Sequence, residues 1–167
     1  HAMIVVNVEY LDWNGSAMEK KTCALANVLT GDMTEIGGGN WYVVMGDVTT
    51  TDLKVNGTAH LILADGAKLT VSSTLWVVKD NALNIYAQSE GANMGALEVT
   101  GTSGATGIGG GNYQNGGEIG RFQAGIHERF PHVLKPGNIV SVCRLHILSF
   151  QSLLRYPAGS FQKQGIF

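Results

Sequence analysis

The sequence predicts an all-β protein with a short solenoid at its centre, about 22 residues to the rung, and three observations lead there. Glycine is abundant, at 23 of 167 residues, while proline is rare at 3, and charged residues make up 14% against 44% hydrophobic. That balance is too apolar for a disordered chain and too glycine-rich for a helix bundle. From Trp41 onward, short apolar triplets recur between Asn, Asp and Gly turns, the pattern of a many-stranded β architecture. Two series of those triplets also share one spacing.

The chain divides into four segments. Residues 1–3 read as a cloning scar followed by an initiator Met. Residues 4–40 form an N-terminal hairpin and cap. Ile4, Val6, Val8 and Tyr10 share one parity and Val5, Asn7, Glu9 and Leu11 the other, an alternating half-buried strand. Asn14-Gly15 suits a type I′ turn, so a hairpin over about 4–23 follows. Cys23–Thr30 (CALANVLT) admits one or two helical turns.

Residues 41–120 are the rungs. Leu53-Lys54-Val55, Leu75-Trp76-Val77 and Leu97-Glu98-Val99 lie 22 residues apart, and one more step from Leu97 reaches Ile119. Leu61 and Leu63 repeat at the same spacing as Leu83 and Ile85, and Val43 precedes Leu63 by 20. Two ladders with one period imply rungs stacked in register, which bury together a core that none could bury alone. The outer residues of each triplet point inward and the middle one outward. Lys54, Trp76 and Glu98 are therefore expected in one outward column. Ile36-Gly37-Gly38-Gly39-Asn40-Trp41 and Ile108-Gly109-Gly110-Gly111-Asn112-Tyr113 are near copies and read as corners between strands.

Residues 121–167 form a tail of different composition. Residues 1–120 carry 5 Lys/Arg and 12 Asp/Glu, about −7, whereas the tail carries 6 and 1, about +5. Its apolar stretch Ile139–Leu154 fits strand 139–143 followed by helix 145–155, or a single amphipathic element, and periodicity does not choose. A solenoid of three to four rungs leaves much of its core facing its ends. Val133, Leu134, Ile139, Val142, Leu145 and Leu148 are the candidates to cover the far end, on the same molecule as a cap or on a neighbour as a homo-oligomer.

The segment 41–111 contains Gly46-Asp47-Val48-Thr49, His60-Leu61-Ile62-Leu63-Ala64-Asp65-Gly66, Leu83-Asn84-Ile85-Tyr86-Ala87-Gln88-Ser89 and Gly107-Ile108-Gly109-Gly110-Gly111. With Tyr10-Leu11-Asp12 and Lys21-Thr22-Cys23 before it, this stretch resembles glycine-rich repeat modules of large secreted or wall-attached proteins of gut Firmicutes. The resemblance covers about residues 8–120. It implies a right-handed parallel β-helix, an extracellular or cell-surface place, a binding or spacer role, and no catalytic residues. Such modules continue as glycine-rich coils where this sequence departs after Gly120 into Arg121-Phe122-Gln123, the pattern of a truncated or frame-shifted end.

Little in the residues points to chemistry. Asp47, Asp52, Asp65 and Asp80 have no acidic residue 22 positions away, so no stacked carboxylates form a hydrolase or lyase face. Neither glycine run carries the Lys-Ser/Thr of a phosphate loop or the Asp of a calcium-binding nonapeptide. His127, His132, Cys143 and His146 have spacings loosely compatible with zinc and read better as structural side chains. Cys23 and Cys143 are too few for a disulfide framework and are expected as free thiols. No metal and no cofactor are expected. A net charge of −2 gives no nucleic-acid footprint, and Ile4-Val5-Val6 is too short for a signal-peptide core or a membrane insertion. What remains is surface: Trp76 with Lys54, Glu98 and Tyr86, supplemented by Trp13, Trp41 and Tyr113, as an aromatic platform for a glycan. The expected function is therefore non-enzymatic, structural or adhesive with carbohydrate binding. The alternatives are a ligand-free spacer or self-assembling unit, or a fragment of a glycan-degrading enzyme.

Overall fold

The structure is a computed structural model that describes residues 3–14, 16–101, 107–110, 116–120, 125–126 and 143–148. The protein is all-β, with no helix among the described residues, and so none long and apolar enough to cross a membrane. Strands β1 (Ile4–Trp13) and β2 (Met18–Val28) form an antiparallel hairpin. Next come β3 (Glu35–Gly37), β4 (Trp41–Val44) and β5 (Asp47–Thr50), then β6 (Leu53–Asn56), β7 (Thr58–Leu63) and β8 (Lys68–Val71). The third set is β9 (Leu75–Trp76), β10 (Ala82–Ala87) and β11 (Ala96–Val99). Short strands β12 (Ile108–Gly109), β13 (Glu118–Gly120) and β14 (Gly125–Ile126) follow, and β15 (Cys143–Leu148) is last.

Each successive set of three gives one strand to each of three sheets. The sheet orders are β1-β2-β4-β7-β10-β13, β14-β15-β11-β8-β5 and β12-β9-β6-β3. Pairing is parallel from β2 to β4 through β13, from β5 to β11 and throughout the third sheet, and antiparallel in the hairpin and around β15. Alternation makes these strands: Leu53 and Val55 are buried while Lys54 and Asn56 between them are exposed. The inward residues meet in one apolar cluster that includes Leu53, Leu61, Leu69, Leu75, Leu83 and Leu97, all fully buried. Each contributes about 1.5–3 kcal/mol relative to an exposed side chain.

The chain length of a tier is not constant. Leu53 does stand beside Leu75, 22 positions on, but Leu75 stands beside Ile108, 33 positions on. Leu61 pairs in register with Ile85 rather than Leu83, and Leu63 with Val44 rather than Val43. Leu97 belongs to a different sheet, over Leu69, and Ile119 aligns with Leu83. The corners absorb the difference. Gly37 and Gly109, from the two near-copy motifs, end β3 and β12 at opposite edges of one sheet, with φ of 149° and 134°. A Cβ on Gly37 would overlap the carbonyl oxygen of Asn56 in the neighbouring strand, so only glycine lets the two backbones approach there.

The hairpin is longer than expected. Cys23–Val28 is strand rather than helix, because Ala26 and Val28 alternate into a buried face and β2 joins β4 in parallel. Four residues separate the two strands rather than a two-residue turn, and the Asn14 side-chain oxygen accepts hydrogen bonds from the Ser16 and Ala17 amides, both at 3.0 Å. The simple parity expected for β1 also fails. Asn7 adopts φ 55°, a left-handed conformation that Asn tolerates better than most residues. On one side of it Val5 faces the protein; on the other, Val8 and Tyr10 do. Ile4 and Val6 are thereby turned out to solvent, 58% and 63% exposed.

The hairpin's apolar side folds over the outward residues of β4, β7 and β10 rather than across the end of the inner core. Val8, Tyr10, Cys23, Ala26 and Val28 form a second buried cluster with Val43, Ile62 and Tyr86. Beside β4 and β5 the inner core is continued by Leu29 and Met33, which hydrogen bond to Val43 and Thr50.

At the tail, Val133, Leu134, Ile139 and Val142 lie outside the described residues. Leu145 and Leu148 lie on β15, which runs antiparallel to β11 with Leu97 opposite Leu145. Residues 145–148 are therefore strand, not helix, because they complete a sheet edge that β11 would otherwise leave unpaired.

A half-exposed aromatic row as candidate functional site

The four residues expected to share a site are divided among three sheets. Trp76 on β9 does sit beside Lys54 on β6. Glu98 does not join them. It lies on β11 beside Thr70 and makes a 2.7 Å ion pair with Lys68. The expected column breaks there because this tier takes 33 residues: 22 residues after Trp76 the chain is still on β11, and Gly109 takes the place beside Trp76. Tyr86 is on β10, only 3% exposed, in the cluster under the hairpin.

Around Trp76 the groups are fixed by Asp52. Its Oδ1 accepts from the Trp76 indole N–H and from the Thr74 amide, both at 3.3 Å. Hydrogen bonding from the Ser73 side chain, with the Thr74 amide and the indole, holds the Asp52 carboxyl below the ordinary Asp range.

The six-stranded sheet brings together a different set. Trp41, His60 and Asn84 occupy successive register positions on β4, β7 and β10. All three are half-buried and face outward, since their neighbours Tyr42, Leu61 and Ile85 face the inner core. The Trp41 and His60 rings stack with centroids 4.5 Å apart and planes 15° apart. Tyr86, one row further along, backs Trp41 at 5.0 Å, and its hydroxyl lies 3.1 Å from His60 Nδ1. Which of that pair donates depends on the imidazole tautomer. From the hairpin, Tyr10 closes the group at 4.8 Å from Trp41 and 5.0 Å from Tyr86. Such ring pairs are each worth about 0.5–1.5 kcal/mol beyond area burial. The Trp41 and His60 rings are thus held in place by their neighbours, and both remain half-buried.

Polar groups flank the stack. The adjacent row holds Thr58, Ala82 and Glu118. The Asn84 amide and the Thr58 hydroxyl make no hydrogen bond among the described residues, and both are half-buried. An amide, a hydroxyl and a carboxylate therefore occupy places in the rows beside the stack.

Elsewhere, Lys21 pairs with the nearly buried Asp12 at 2.8 Å, and that hydrogen bond raises its pKa. Cys23 is a free thiol whose pKa burial pushes up. No three His, Cys, Asp or Glu come together to hold a metal among the described residues; His127 and His132 are outside them, as is Tyr113.

Sequence reasoning named Trp41 and Tyr86 as aromatics of interest but missed His60, Asn84 and Tyr10. The signal was present in spacings of 19 from Trp41 to His60 and 24 from His60 to Asn84, which a search at one fixed period passes over.

Fold and face together define a class: an all-β scaffold of stacked parallel strands carrying a half-exposed aromatic row. No protein-family model, curated protein or solved structure matches the chain.

Proposed function

We propose that this chain is a non-catalytic, surface-type right-handed parallel β-helix whose outer face binds a neutral glycan. The recurrence of one strand per sheet in the order β3-β4-β5, β6-β7-β8 and β9-β10-β11 supports the helix. The right-handed sense is the one that parallel crossovers take. The observation that carries the binding reading is the Trp41–His60 stack, backed by Tyr86 and flanked by the Asn84 amide, which makes no hydrogen bond among the described residues. Sugar rings present an apolar face that stacks on aromatics and hydroxyl edges that need such amide and hydroxyl partners. A secreted or cell-surface place accords with this role.

The test is a glycan array followed by calorimetry with the full chain. Trp41→Ala lowers affinity for a neutral oligosaccharide at least about tenfold, or ~1.4 kcal/mol. Asn84→Ala, which removes no packing ring, lowers it severalfold while leaving the circular dichroism spectrum unchanged. A blank array, or wild-type affinity in both variants, overturns the reading.

A second reading, self-assembly, has its own observation. Met3, Ile4, Val6 and Leu25 are 61%, 58%, 63% and 61% exposed, and Val6 stands opposite Leu25 on the hairpin. Exposed apolar side chains grouped on an edge strand favour association, and a twofold homo-oligomer is its commonest form. Light scattering that gives the mass of a single chain at high concentration refutes it.

A further inference from the structure

The face of the four-stranded sheet has a separate composition. Across β3, β6, β9 and β12 the outward row reads Glu35, Lys54, Trp76 and Gly109. Adjacent strands are about 4.8 Å apart, so the Lys54 stem and the indole are direct neighbours. Three features make this pair more than a surface lysine beside a surface tryptophan.

The first is orientation. The indole N–H is tied to Asp52, whose carboxylate is itself held by Thr74 and Ser73, so the Trp76 ring is fixed rather than free to rotate. The second is a neighbour without a side chain. Gly109, itself buried, occupies the next place in the row and sets no side chain beside the ring. The third is the cation. Glu35 is its in-register neighbour, yet the Glu35 carboxylate accepts from the Asn56 amide at 3.2 Å, and Lys54 makes no ion pair or hydrogen bond among the described residues. An exposed ammonium, with no ion-pair partner among the described residues, therefore stands beside a fixed aromatic face.

We propose that this face is a second binding site that takes a carboxylate-bearing sugar, a uronic acid whose ring stacks on Trp76 while its carboxylate meets the Lys54 ammonium. It is distinct from the Trp41 row, which lies on another sheet and holds no Lys or Arg. Charge-assisted hydrogen bonding to Lys54 supplies the selectivity, and stacking supplies affinity that does not depend on charge. Because the ion pair is exposed, its share is small and falls with salt.

The probes are an oligogalacturonide and its methyl ester, which keeps the rings and removes the charges, titrated calorimetrically into the full chain. The acid binds about threefold to tenfold more tightly than the ester at low salt, and the difference shrinks at high salt. Lys54→Met abolishes that difference while leaving binding of the ester unchanged; Trp76→Ala weakens both. Lys54→Glu reverses the preference. Equal binding of acid and ester by the wild type, or a preference that survives Lys54→Met, overturns the proposal. So does an unaltered acid affinity in Trp76→Ala. The neutral oligosaccharides that report on Trp41 continue to bind in Lys54→Met, so failure at one face is read separately from failure at the other.

Discussion

Leu61 and Ile62 are adjacent on β7, both fully buried, and face opposite ways. Leu61 points into the inner cluster and Ile62 into the cluster beneath the hairpin. On a strand with one solvated face, Ile62 would be exposed and its truncation would cost within about 0.5 kcal/mol. Here Ile62→Ala removes roughly three methylene equivalents at about 0.8 kcal/mol each, and incomplete collapse around Val8, Tyr10, Val43 and Tyr86 adds a cavity cost. The expected loss is about 2–5 kcal/mol, similar to that for Leu61→Ala. The two differ in what loosens first. Ile62→Ala undermines the hairpin, so proteolysis within residues 4–28 accelerates and near-ultraviolet dichroism from the Tyr10–Trp41–Tyr86 group declines before global unfolding. Leu61→Ala weakens both parts together. Urea unfolding followed by far- and near-ultraviolet dichroism makes the comparison. A loss below about 0.5 kcal/mol for Ile62→Ala would refute the seating of the hairpin on the outer face.

Gly37→Ala should lower the urea midpoint by an amount equivalent to about 1–3 kcal/mol, because positive φ and contact with the Asn56 carbonyl act together, whereas Gly39→Ala, with open space at its Cβ, incurs only the φ penalty. The folded Asp52 carboxyl titrates below its unfolded value, so its contribution is present above about pH 4 and is lost as pH falls through the lower, folded pKa. Asp52→Asn should flatten the acid limb of a stability profile taken from pH 6 to pH 2, and an unchanged limb would remove Asp52 from that account. In a Cys143→Ser background, Cys23 should react with a thiol reagent only as the hairpin opens, since the thiol is 6% exposed and its pKa is raised. Labelling at the rate of a free thiol in native buffer would contradict that burial.

The parts of the fold legible in the sequence are those set by local pattern. Leu53-Lys54-Val55 announces its alternation, and Ile36-Gly37-Gly38 announces a corner. Three features were not legible. Ile62 is buried by a segment more than thirty residues earlier, which no local period reports. Asn7 reverses the facing of β1 through one backbone angle, so four alternating apolar residues end on two faces. Register across tiers depends on corner lengths, which is why Lys54 and Trp76 were placed together correctly while Glu98 was not. The same cause hid the Trp41–His60–Asn84 row.

The unequal tiers have a consequence for how such a chain can change. Thr58 stands beside Ala82 after 24 residues, and Ala82 stands beside Glu118 after 36, yet each step advances the stack by one strand spacing of about 4.8 Å. Length along the axis is therefore counted in strands and is indifferent to how much chain a corner spends. Ten residues added at the corner after β11 would leave every pairing in place, whereas one residue added within β7 would turn Leu61 outward and Ile62 inward. Insertions can accumulate at the corners as appendages of any size, and the strands admit changes only two residues at a time.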